Sequence, residues 1–182
     1  MSELTSVDDL TQLSQLPGFH NASEPIQRYK FNNANHWARV VGEQIYVYDE
    51  MTPQVYVYRQ STLQKTIPLA LIDFLPAPEA FFDMKGKTPR QLAKWWYSWS
   101  RNVGFHARED GFLVVYEITA PENPMEGRIV VARCNNKGKV TGKWHYDEGN
   151  FIGADQSAYY ILRDVDNPED PFPAYQISGV SW

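Results

Sequence analysis

Cysteine is all but missing from this chain: Cys134 is the only one in 182 residues. A single thiol excludes an intrachain disulfide. Its setting, Val131-Ala132-Arg133-Cys134-Asn135, reads as a strand end carrying a buried structural thiol, because no base partner stands nearby in sequence to make it a nucleophile. No stretch is long and apolar enough to cross a bilayer, so a membrane is not an expected partner. The N-terminus, Met1-Ser2-Glu3-Leu4-Thr5, has neither a basic nor an apolar targeting region. The expected compartment is the cytoplasm, unless a targeting segment has been removed. Basic runs are absent too. The 17 Lys and Arg are scattered among 22 Asp and Glu, for a net charge of −5, which excludes nucleic acid as the main partner because phosphate binding needs clustered cations.

Several chemical signatures are also lacking. There is no Gly-x-Ser-x-Gly elbow, no P-loop and no dinucleotide fingerprint. His20, His36, His106 and His145 are widely spaced, with no His-x-x-x-His or Cys-His pair. No metal site is therefore expected, and no catalytic residue or cofactor is assigned. Asp164-Val165-Asp166-Asn167-Pro168-Glu169-Asp170 gathers four carboxylates, but Pro168 and Glu169 break the calcium-loop pattern. A solvated hairpin tip is the expectation there.

Aromatics, by contrast, are plentiful, with 11 Tyr, 9 Phe and 6 Trp, as suits the half-buried surface of a sheet. A paired strand signal recurs three times. Ile45-Tyr46-Val47-Tyr48 pairs with Val55-Tyr56-Val57-Tyr58, Phe112-Leu113-Val114-Val115-Tyr116 with Ile129-Val130-Val131-Ala132, and Tyr159-Tyr160-Ile161-Leu162 with Ala174-Tyr175-Gln176-Ile177. If these are true repeats, Tyr46, Val114 and Tyr160 should occupy equivalent surroundings. Pro25 to Phe31, Trp37 to Val41 and a segment ending at Lys65-Thr66-Ile67 add strands around the first pair. Asn135-Asn136-Lys137-Gly138-Lys139 is a strong turn, since Asn and Gly tolerate positive φ.

Two helices are expected. Residues 6 to 16 place Leu10, Leu13 and Leu16 near one face after a Ser6 cap, forming the core of an N-terminal arm over residues 1–24. Thr88, Pro89 and Gln91 form a helix start with a capping box, and Leu92, Trp95, Trp96 and Trp99 make one apolar stripe. That helix is expected over 89–101, inserted in a single β-rich domain of residues 25–182. Its stripe reads first as core packing. The alternative is an aromatic wall of Trp95, Trp96, Tyr97 and Trp99 for a small aromatic or sugar ligand.

Gly42-Glu43-Gln44-Ile45-Tyr46-Val47-Tyr48-Asp49, Glu109-Asp110-Gly111-Phe112-Leu113-Val114-Val115-Tyr116 and Ala154-Asp155-Gln156-Ser157-Ala158-Tyr159-Tyr160-Ile161-Leu162 resemble the inner hairpins of six-bladed β-propellers of the TolB-like or NHL-like kind. The resemblance implies an all-β, propeller-like fold of antiparallel blades with one inserted helix, spanning about residues 25–182. Propeller enzymes with this pattern hold a metal in the central channel, and no such ligand set maps onto these positions. Three blades do not close a propeller, which typically takes four to eight. Self-association, or a partner chain that completes the sheets, is expected. The rival architecture is a single antiparallel barrel with a helical lid.

The functional expectation is a non-catalytic binding or protein-interaction module presenting contacts on loops. A small-ligand carrier built on the barrel, and a hydrolase or lyase whose site assembles only in the fold, are the alternatives.

Overall fold

Tyr46 and Tyr48 point to one side of their strand and Val47 to the other, and the same alternation carries Val55 and Val57 against Tyr56 and Tyr58. Both faces of these strands are apolar, so both must be covered. The computed structural model, which describes residues 36–49, 51–76, 86–119, 127–147, 150–155, 157–165 and 174–182, shows how one of them is. The chain forms three antiparallel meanders. Sheet A joins β1 (His36–Val41), β2 (Gln44–Asp49), β3 (Gln54–Arg59) and β4 (Thr62–Pro68) in chain order. Sheet B does the same with β5 (Arg101–Arg108), β6 (Gly111–Thr119), β7 (Gly127–Asn135) and β8 (Val140–Tyr146). Sheet C holds β9 (Asn150–Ala154), β10 (Ala158–Val165) and β11 (Ala174–Ser181).

The all-β expectation holds, and the paired segments legible in the sequence are β2–β3, β6–β7 and β10–β11. The closed barrel does not form. Each meander ends its own ladder, and the sheets meet through side chains. The strand expected over residues 25–31, the N-terminal helical arm and most of the acidic loop after Asp164 lie outside the described residues.

Sheet B is the middle layer. Phe112, Val114 and Tyr116 of β6, with Val130, Ala132 and Cys134 of β7, pack against Tyr46, Tyr48, Val55 and Val57 of sheet A. Leu113, Val115, Ile129 and Val131 face the other way and pack against Tyr159 and Ile161 of sheet C. Rings interlock across both interfaces, Tyr48 with Phe105 at 5.1 Å and Trp144 with Tyr159 at 5.8 Å between centroids. Such pairs add to the area term that drives burial. Cys134, 1% exposed, is part of the first interface, and burial pushes its thiol up to about 12, so it is a packing residue at neutral pH.

One buried polar side chain bridges this packing with both ends of its amide bonded. Asn102 is buried, accepts from the Tyr48 hydroxyl at 2.6 Å and donates to the Thr52 carbonyl at 2.9 Å, tying sheet B to sheet A. The segment after β4 crosses between the two sheets. Leu69, Leu71 and Phe74 are buried in the shared core, and Ala70 donates its amide to the Gly138 carbonyl at 2.9 Å. Asp73 then accepts from Tyr116 Oη at 2.6 Å and from Lys143 Nζ at 2.8 Å.

Burial opposes the charge on Asp73, but the hydrogen bonds from Lys143 and Tyr116 outweigh it and hold the carboxyl below its ordinary value of 3.8. The stability this group supplies is complete above that value and is lost as pH falls through the lower, folded one. Thermal melts taken from about pH 6 down to about pH 2 should show wild type losing an increment below about pH 4 that Asp73→Asn lacks. Parallel curves for the two proteins would remove Asp73 from the account.

The helix expected over 89–101 is shorter, α1 (Pro89–Trp96). Thr88 caps it with the full capping box, and Pro89 sits in the first turn as read from sequence. Tyr97 and Ser98 close the end by donating to the Ala93 and Trp95 carbonyls. Strand β5 begins at Arg101, within the span expected for the helix.

Candidate functional site

The first strands of successive sheets lie side by side: β1 adjoins β5, and β5 adjoins β9. Along this shared edge a cleft of about 720 Å³ opens between residues 39–42, the end of β1 with its turn, and residues 106–110, the end of β5 with its turn. Gly42 makes the first turn with a φ of 59°, a conformation glycine adopts without cost. Val40 is 58% exposed at the cleft.

Sheet alternation sorts the side chains of β5. Phe105 and Ala107 enter the core shared with sheet A, while Gly104, His106 and Arg108 turn toward sheet C. Gly104 is needed there, because a Cβ at that position would lie 2.5 Å from the Phe151 ring. His106 meets Trp182 edge-on at 5.6 Å, and the Arg108 guanidinium stacks on the same indole at 4.2 Å. Arg108 is aimed by a bidentate pair with Asp110, from Nε at 3.0 Å and a terminal nitrogen at 2.9 Å. Arg133 approaches the same carboxylate at 3.5 Å.

Trp182 is placed from the other side. Its indole N–H donates to the Asp155 carbonyl at 3.1 Å and its amide to Ser157 at 3.2 Å. The Asp155 carboxylate accepts from the Tyr160 hydroxyl at 2.7 Å and from the Ser157 and Ala158 amides. These bonds, Tyr160's first, hold Asp155 ionised far below the ordinary carboxylate range.

His106 is held below its ordinary value. Burial is the main cause, the charges of Arg39 and Arg108 add to it, and Asp155 opposes them. The ring is thus neutral at pH 7, in a cleft lined by Arg39 and Arg108 together with Glu109 and Asp110.

The four residues of the expected aromatic wall fall elsewhere and split in two. Trp95 and Trp99 are 4% and 1% exposed, with ring centroids 5.5 Å apart, and Trp96 stands T-shaped to Trp99 at 5.4 Å. Trp96 and Tyr97 are partly exposed, and the Arg101 guanidinium lies over both, 5.0 Å from one centroid and 5.6 Å from the other. Glu117 fixes Arg101 at 2.5 Å. A flat ligand on this wall has to displace an arginine that is already stacked and paired.

Among the described residues, His106 is the histidine this geometry brings among charged partners. Among the described residues no group of three or more His, Cys, Asp and Glu could hold a metal ion, and no helix is long and apolar enough to cross a membrane. Arg39, Arg108 and Trp182 were missed in the sequence. They lie on β1, on β5 and at the residue after β11, and the one available signal is weak: each arginine stands just ahead of a Gly-Glu or Glu-Asp turn. No protein-family model matches this chain, and no curated protein or solved structure does either.

Proposed function

We propose that the chain is a non-catalytic binding module of propeller-like blades, with its ligand contacts on the turns at the inner edge and a second copy of the chain covering the outer face of sheet C. One observation carries this reading. The leading strands β1, β5 and β9 of three consecutive meanders lie together, as inner strands do when blades are set around an axis. The loops at one end of β1 and β5 then open onto a shared cleft, the usual place for contacts on such scaffolds.

The partner follows from sheet C. Its face turned away from sheet B carries Ile152 at 50% and Ile177 at 60% exposure, beside partly exposed Tyr160 and Leu162. The apolar faces that sheets A and B turn to each other, and that sheet B turns to sheet C, are each covered by a neighbouring sheet. Strand β11 pairs only with β10 among the described residues, and its sequence, Ala174-Tyr175-Gln176-Ile177-Ser178-Gly179-Val180-Ser181, has no charge and no proline to discourage pairing. A copy of the same strand meets it without like-charge repulsion.

Sedimentation equilibrium tests this. Wild type is expected to self-associate, and Ile177→Lys to shift the distribution to monomer with little change in melting temperature. Wild type that stays monomeric at all concentrations removes the second copy and leaves the intrachain cleft to be judged by itself.

A further inference from the structure

We infer that the cleft between β1 and β5 binds the oxyanion group, carboxylate or phosphate, of a small molecule through the Arg39 guanidinium and the His106 imidazole. This rests on the inner-edge reading above and names the ligand chemistry for it.

Arg39 supplies the first ground. Arg59, Arg101, Arg108, Arg128 and Arg133 each face a carboxylate. Arg39 has no carboxylate partner among the described residues; its one hydrogen bond goes to the neighbouring Ala38 carbonyl at 2.9 Å. A guanidinium carries five donors in a planar fork suited to carboxylate and phosphate oxygens. Here that fork lines a cleft large enough for a small organic molecule. The second ground is shape. Exposed Val40 supplies apolar lining beside the charged groups, so a ligand with an apolar body and an anionic head satisfies both parts.

His106 gives the third. The charged groups around it are Arg39 from β1, Arg108 from its own strand, Asp155 from the β9–β10 turn, and Glu109 and Asp110 from the β5–β6 turn. Asp110 is occupied by Arg108 and Arg133. Burial first, and the positive neighbours after it, keep the imidazole neutral, and an anion that screens Arg39 relieves the second of these. Protonation and anion binding therefore favour each other, and linkage makes the effect mutual. If the His106 midpoint rises by about one unit in the complex, the anion binds about tenfold tighter below that midpoint than above it.

The test is an NMR pH titration of the His106 ring in the full-length protein. Inorganic phosphate and benzoate are added separately, with chloride matching the ionic strength, for wild type and Arg39→Gln. Arg39 is exposed, so its replacement leaves the fold intact. The expected result is a rise of the His106 midpoint with one or both probes in wild type, absent in Arg39→Gln. Phosphate alone or benzoate alone identifies the head group. A midpoint that neither probe moves, or that moves equally in Arg39→Gln, overturns the proposal. If self-association is intact in the same sample, that failure falls on the anion and not on the blade assembly.

Discussion

Trp99→Ala is expected to cost about 3–5 kcal/mol of unfolding free energy, the range for emptying a large aromatic site that cannot collapse. The indole is 1% exposed and is packed on both Trp95 and Trp96. Trp96→Ala should cost less, about 1–2 kcal/mol, because Trp96 is partly exposed and gives up mainly its ring contacts with Trp95 and Trp99 and the stacked Arg101. Urea unfolding of the two variants with unchanged m-values measures the difference. The comparison also decides the role of the stripe. Equal small losses with loss of an aromatic or sugar ligand would favour the wall, and the expected order favours packing.

Gly138→Ala is the second large effect, expected at about 2–4 kcal/mol, or a Tm lowered by roughly 5–15 °C. Gly138 has a φ of 79°, in the left-handed region where a Cβ is strained. A Cβ built there would also stand 2.0 Å from the Pro68 carbonyl oxygen, so the backbone has to move. The Gly138 carbonyl accepts from Ala70, and that contact is part of what closes the crossing segment onto the β7–β8 turn. Gly127→Ala is the control, since no atom lies within 4 Å of its added Cβ. If the two variants melt together, the close approach at Pro68 has no energetic weight.

Strand existence was legible because short β-branched and aromatic runs lie between clear turns. Gly42 and Gly138 take the positive φ that their turns require, while Asn135 contributes through its side chain, which accepts the Lys137 and Lys139 amides. Facing was not legible. Tyr46, Val114 and Tyr160 all fall on the second strand of their sheets, but Val114 is turned back to sheet A, Tyr46 faces forward to sheet B and Tyr160 is partly exposed on the face of sheet C away from sheet B, so the equivalent surroundings expected of true repeats are not found. In β6, residues 111 to 116 are buried without a break, so the polar–apolar alternation that reveals a face is erased by cover on both sides.

The helix start was readable from Thr88 and Pro89, and its end was not. No glycine marks it, and Tyr97 closes it through backbone bonds that leave no residue signature. The cleft was the least visible feature. Its residues are ordinary strand members whose meaning depends on which edges come together, and that is decided by stacking between sheets.

Because sheet B is clamped between two neighbours, fraying has a preferred direction. Local opening can begin at the bare side of β10 and β11, or in the turns, at the cost of one interface. Exposing β6 and β7 demands that both interfaces part. The chain therefore has a protected centre with a more labile flank, and the bare flank is also where a further copy would dock. Docking there would convert an end layer into another sandwiched one, and would slow opening at the position that otherwise opens first.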